Sequence, residues 1–114
     1  MSLHLINEFL VMENQITVED VDRAKIAAAE GDAEAQYHLA LMFDAGKGVD
    51  RNPKEAERWY LAAAAQGHMN AQYFLARMYS IESSGINKNL AEAQKWYKKA
   101  AEQGHIDAKA KIVS

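Results

Sequence analysis

The 114-residue chain predicts an all-α fold, a stacked array of about seven helices. Three observations carry this. The stretch from Ala56 to Ala71, AERWYLAAAAQGHMNA, returns from Ala93 to Ala108 as AQKWYKKAAEQGHIDA, with nine of sixteen positions identical at a constant offset of 37. Both tryptophans, Trp59 and Trp96, fall inside the two copies. Gly31, Gly67 and Gly104 stand at equivalent points, each where an apolar-periodic segment stops, as a glycine after a helix C-terminus does. A repeat of this period is one supersecondary unit that cannot bury its apolar face alone, so its copies must stack.

The elements follow in order. Leu3, Leu5, Ile6, Phe9, Leu10 and Met12 are spaced for one helix face. Their segment has no basic residue ahead of it, carries Asn7 and Glu8 inside, and lacks a small-residue cleavage site, so it reads as a helix and not as a secretion signal. Thr17 with Asp20 three residues on predicts the next N-cap, and Val18, Val21, Ala24, Ile26 and Ala28 are the expected inner positions of the helix that ends at Gly31. Ala27 to Gly31 matches Ala63 to Gly67, while Arg23-Ala24 replaces Trp59-Tyr60. Residues 1–32 therefore read as a degenerate N-terminal capping repeat. Asp32 caps the following helix, with Ala35, Leu39, Ala40, Met42 and Phe43 as its apolar stripe. The run from Asp44 to Gly48 breaks it. Asn52, Pro53 and Glu55 supply a cap, a first-turn proline and a capping-box carboxylate for the helix that stops at Gly67.

The second unit repeats the first. Ala71-Gln-Tyr-Phe-Leu-Ala76 matches Ala35-Gln-Tyr-His-Leu-Ala40 at an offset of 36, which becomes 37 after one residue inserted between Ser80 and Gly85. Asn89 and Glu92 repeat the capping pair, and a last helix opens at Asp107. A single domain results, with full repeats at 33–69 and 70–106 and a C-terminal capping helix at 107–114. Alanines at 40, 56, 63, 76, 93 and 100 permit close helix approach, and Phe43, Trp59, Tyr60, Tyr79, Trp96 and Tyr97 fill the space between pairs, each burying apolar area at about 25 cal/mol per Å².

Composition narrows the function classes. The net charge of −3 argues against nucleic acid as a partner. The charge is uneven: residues 1–50 hold three basic and ten acidic groups, and residues 86–114 hold six basic and three acidic. The absence of cysteine excludes thiol catalysis and thiolate metal sites and favours a reducing, cytoplasmic compartment. No apolar run approaches the roughly 20 residues that span a bilayer, so no membrane partner is expected. His68 and His105 follow the helix-stop glycines one repeat apart, too far to share a zinc ion, and read as capping residues. Gly46 and Gly48 lack the strand and glycine spacing of a phosphate loop. No nucleophile–base arrangement or carboxylate pair stands out, so no catalytic residue, metal or cofactor is expected. Lys95, Lys98 and Lys99 flank aromatics that match core positions and read as a solvated face.

The string A-x-x-x-L-A/G-x-M-Y/F, then G-x-G-V, then A-x-x-W-Y-x-x-A-A-x-Q-G-x-x-x-A resembles the Sel1-like repeat, a relative of the tetratricopeptide repeats. Two full copies run from Ala33 to about Ala108, with Ser83-Ser84-Gly85-Ile86 in the second replacing Gly46-Lys47-Gly48-Val49. The resemblance implies a right-handed α/α superhelix whose first-type helices line a concave surface that holds protein partners. The groove-facing positions would be Glu34, Tyr37, His38, Leu41 and Asp44 in one copy and Asn70, Tyr73, Phe74, Arg77 and Ser80 in the next. Cysteine-rich secreted members are associated with cell-wall or β-lactam chemistry, which a cysteine-free chain does not inherit. The reading is a non-catalytic module that docks a peptide or helix of another protein, either as a monomer or as a weak head-to-tail oligomer pairing its acidic start with its basic end. The alternatives are a self-assembling, immunity-type or regulatory partner protein and, more remotely, a hydrolase.

Overall fold

The computed structural model describes residues 17–113. Six α-helices and one 3-10 turn make up the regular structure among these residues. They are α1 (Val18–Ala29), α2 (Ala33–Ala45), α3 (Pro53–Ala65), α4 (Met69–Ser80), the 3-10 turn Glu82–Ser84, α5 (Leu90–Glu102) and α6 (Ile106–Lys111). Each helix packs on the next in the chain. The helix expected over Leu3 to Met12 lies outside the described residues.

Local chemistry starts each helix. Thr17 closes a complete capping box with Asp20, each side chain bonding the other's backbone N–H. Asp32, His68 and His105 are equivalent positions of three successive units, and all three are N-caps. The Asp32 carboxylate accepts from Ala35 N–H, and the Nδ1 atoms of His68 and His105 accept from Ala71 and Ala108 N–H at 3.1 Å. Asn52 and Asn89 cap α3 and α5 through their side-chain oxygens. The capping boxes expected there are only half formed. The N–H groups of Asn52 and Asn89 already donate to the carbonyls of Phe43 and Tyr79 (2.9 and 2.7 Å), so Glu55 and Glu92 turn outward to Arg58 and Lys95.

The core is a row of small and aromatic residues. Ala40, Ala56, Ala63, Ala71, Ala76 and Ala100 are fully buried, and Tyr60 is the largest side chain wholly enclosed. Half-buried Trp59 and Phe43 touch both the main cluster and a second cluster of Val21, Ala28 and Leu39, joining the first helix to the rest. Trp96 and Tyr97 are buried, and Lys95 and Lys99 lie over the Trp96 ring on its solvent side. Two of the expected inner positions of α1 are exposed: Val18 at 70% and Ile26 at 63%. At about 100° per residue, Ile26 is turned roughly 140° from Val21, off the stripe that Val21, Ala24 and Ala28 define, and Val18 is the first residue of its helix.

Two buried glutamines tie the helix pairs together. Gln36 Nε2 donates to the Ala28 carbonyl, and Gln72 Nε2 donates to the Ala64 carbonyl. From the end of the following helix, Gln66 Nε2 donates to the Gly31 carbonyl and to Gln36 Oε1, both at 2.9 Å. Gln103 repeats this on the Gly67 carbonyl (2.8 Å) and Gln72 Oε1 (3.0 Å).

The divergent loop of the second copy keeps one backbone requirement of the first. Gly85 has φ +93° where its counterpart Gly48 has +77°. A Cβ on Gly85 would also come within 2.5 Å of the Pro53 ring, whereas one on Gly67, at φ +92°, would meet nothing. Gly67→Ala is expected to cost about 1 kcal/mol for the left-handed backbone alone. Gly85→Ala should cost at least ~1 kcal/mol more because the loop must leave Pro53. Urea unfolding followed by circular dichroism measures both, and equal costs would show that the loop does not press on α3.

Candidate binding face

The residues expected on the partner-facing side lie along α2 and α4, and aromatic contacts link them into one row. Tyr37 stacks on His68 with ring centroids 4.6 Å apart, and Tyr73 stacks on His105 at 4.2 Å. Phe74 lies 6.1 Å from Tyr37, 6.2 Å from Tyr60 and 5.4 Å from Tyr73. The same histidines that cap α4 and α6 thus wall the tyrosines of the preceding first-type helix.

Their exposures differ. Tyr37 is only 9% exposed and belongs to the packed row more than to an open face. Tyr73, Phe74, Leu41, Asp44 and Ser80 are half-buried, while Glu34, His38, Asn70 and Arg77 are exposed. Glu34 bridges two histidines, its oxygens 3.0 Å from His38 Nε2 and 2.7 Å from His68 Nε2. Because His68 Nδ1 accepts the capping bond, its ring proton sits on Nε2 and is donated to Glu34. That hydrogen bond, with the nearby imidazoles, holds the Glu34 carboxyl below its usual range. Asn70, the counterpart of Glu34, carries no charge to offer His105.

Two hollows open along this face. One, of about 360 Å³, is lined by His38, Leu41, Met42, Ala45 and Lys47. The other, of about 220 Å³, sits between the end of α2 and α4 and is lined by Asp44, Phe74, Arg77, Met78, Ile81 and Ser84. In the second hollow the buried Tyr60 hydroxyl donates to Asp44 Oδ2 at 3.1 Å, and the Arg77 guanidinium lies over the Phe74 ring, 5.6 Å from its centroid. Arg51 ties two of the lining residues together by donating to the carbonyls of Asp44 and Ser84. Ser80 is the counterpart of Asp44 and makes the equivalent contact with the Tyr97 hydroxyl at 3.3 Å. The residue roll read from the sequence omits Met78, Ile81 and Ser84. Ile81 was the legible one, an apolar side chain left in a connecting loop.

Among the described residues no group of three His, Cys, Asp or Glu side chains is arranged to hold a metal ion, and no helix is long and apolar enough to cross a membrane.

The model of the Sel1 repeat matches residues 33–68 and 70–105. The chain belongs to the Sel1 repeat family. Its helices superpose on a Sel1 repeat protein from Oxalobacter formigenes with a TM-score of 0.77 and 37% identity, covering 82% of this chain and 70% of that one. Against c5321, a protective antigen of uropathogenic Escherichia coli with the same repeat fold, the TM-score is 0.78 at 33% identity, covering 83% of this chain and 20% of the other. The cysteine-rich protein B of Helicobacter pylori shares the fold at a TM-score of 0.76 and 20% identity, covering 82% of this chain and 70% of that one. Among curated proteins, the rat DAP3-binding cell death enhancer 1 is 37% identical over 59 residues. That match spans 52% of this chain and 12% of the rat protein's length. Sel1 repeats are in general protein–protein interaction scaffolds and not catalysts. The all-helical superhelix that the repeat implies is the fold observed, and the capping role expected of His68 and His105 is the one they play.

The buried tyrosines set an alkaline limit on this face. Burial first, and then the Asp44 carboxylate, push Tyr60 far above the usual phenol value. Burial and the 2.7 Å bond to Glu57 do the same for Tyr79. A folded-state value raised above the unfolded one of about 10 leaves stability untouched below that pH and removes it as pH rises further. In an absorbance titration, the phenolates of Tyr60 and Tyr79 should therefore appear only together with loss of the helical signal. Ionisation of all five tyrosines with the helices intact would contradict the enclosed geometry.

Proposed function

We propose that this chain is a non-catalytic docking module that holds a peptide or short helix of another protein along α2 and α4. The observation that carries the reading is the hollow between these helices, where half-buried Phe74 and Asp44 meet exposed Arg77 and Ile81, with Arg51 bonded to the carbonyls of Asp44 and Ser84. Aromatic, aliphatic and charged side chains side by side are what a peptide anchor needs, and a rigid helix pair presents them at low entropic cost. The concave side of the superhelix is the face assigned here to the partner. The family supports a protein as that partner, and the rat relative is itself named for binding one. Nucleic acid and membrane are not part of the proposal. A composition free of cysteine supports a reducing compartment, and cytoplasmic residence belongs to the proposal on that ground.

Affinity capture from extract of the source cells, with the full chain as bait, tests the face. Ile81→Asp changes a side chain that is 39% exposed and lines the hollow, while Lys98→Asp changes an exposed residue of α5. A partner retained by the wild type and by Lys98→Asp, but weakened roughly tenfold by Ile81→Asp, is the expected result. A partner indifferent to Ile81→Asp would move the interface to another surface.

A further inference from the structure

The proposed docking reading leaves open which peptide chemistry the face selects, and the inference here rests on that reading. We infer that the hollow between α2 and α4 is a subsite for a single carboxylate side chain of the partner, recognised by Arg77 and filtered by Asp44.

Size comes first. At about 220 Å³ the hollow is below the roughly 300 to 1,000 Å³ of small-molecule sites and suits one side chain. Its polar ends are unequal. The Arg77 guanidinium is exposed, is held over the Phe74 ring, and has no carboxylate within 4.0 Å among the described residues. A guanidinium stacked on an aromatic face keeps its planar fork of donors for a carboxylate, which it can bind through two parallel hydrogen bonds. Asp44 is half committed: one oxygen accepts from the Tyr60 hydroxyl, which burial keeps protonated and so keeps donating. The other oxygen is available to a peptide backbone N–H. Phe74, Met78 and Ile81 supply the apolar wall for the methylene stem of a glutamate.

Asp44 also limits how much negative charge can enter. A phosphate or a run of acidic residues would bring a second anion against this carboxylate. The ligand that fits is therefore an isolated Glu or Asp within an otherwise neutral or basic segment, not an acidic tract. A positively charged side chain is refused by Arg77.

Panning a random-sequence peptide display library on the immobilised full chain reads this directly. The wild type should enrich peptides with one Glu or Asp flanked by neutral or basic residues. A selected peptide should bind Arg77→Ala roughly tenfold more weakly, as expected for loss of a charge-assisted pair. Arg77→Lys should recover part of the loss, and Arg77→Glu should switch the enriched residue to Lys or Arg. All three variants alter an exposed side chain and should keep the wild-type helical signal. Peptides enriched without a carboxylate, or a carboxylate preference that survives Arg77→Ala, would overturn the inference while leaving the docking face standing. No enrichment over a bare support would overturn it, and the capture experiment with Ile81→Asp then shows whether the docking face fails with it.

Discussion

The rest of the structure depends on the amide rung between successive helix pairs, in which a buried glutamine, Gln36 or Gln72, meets an exposed one, Gln66 or Gln103. A two-helix unit of this size cannot cover its own apolar faces, so burial supplies the drive to stack. Burial alone is non-directional and would let one pair slide on the next. Gln66 bonded to Gln36 and the Gly31 carbonyl, and Gln103 bonded to Gln72 and the Gly67 carbonyl, make the register discrete. A shift of one residue would leave the buried amides of Gln36 and Gln72 short of their partners, at ~1–3 kcal/mol each, while the exposed ends of the rungs would turn to water. The same buried glutamines also donate to the Ala28 and Ala64 carbonyls near the helix ends, so each rung ends one helix and seats the next.

With the register set, the same few residues do several jobs. The glycine that carries the rung's carbonyl turns the chain by a positive φ. The residue after it caps the next helix, and where that residue is histidine its ring faces a tyrosine of the preceding first-type helix, Tyr37 of α2 or Tyr73 of α4. The face along α2 and α4 is therefore built from positions already constrained by stacking. What differs between the copies is the chemistry placed on them: Glu34 against Asn70, His38 against Phe74, Asp44 against Ser80. The hollow with Arg77 exists because the second copy puts an aromatic where the first has a histidine, and because Asp44 of the first copy reaches it.

The fold was legible because helix signals and repeat signals agree. Caps, stop glycines and the tryptophans lie at matching offsets, and every N-cap residue named from the sequence within the described residues is found, although the Glu55 and Glu92 halves of two capping boxes are not. The rungs were visible only as identity: Gln36 and Gln72, like Gln66 and Gln103, recur in both copies, but nothing local says that a glutamine is buried. Val18 and Ile26 were misread because apolar residues were gathered without holding the angle to Val21 strictly. Tyr37 was assigned to a groove on family pattern, yet its ring is enclosed by His68, Tyr60 and Phe74, neighbours that come from α3, α4 and a cap. A hollow lined from two helices and a loop, as at Asp44, Arg77 and Ile81, has no signature in any one stretch of chain.

A double-mutant cycle on Gln72 and Gln103 tests the central claim most directly. Urea unfolding of the wild type, Gln72→Ala, Gln103→Ala and the double variant gives the coupling between the two amides. If the rung sets the register, the two losses are not additive and the coupling is about 1 kcal/mol or more. Losses that add to within about 0.3 kcal/mol would contradict it, leaving apolar packing alone to hold the repeats in place.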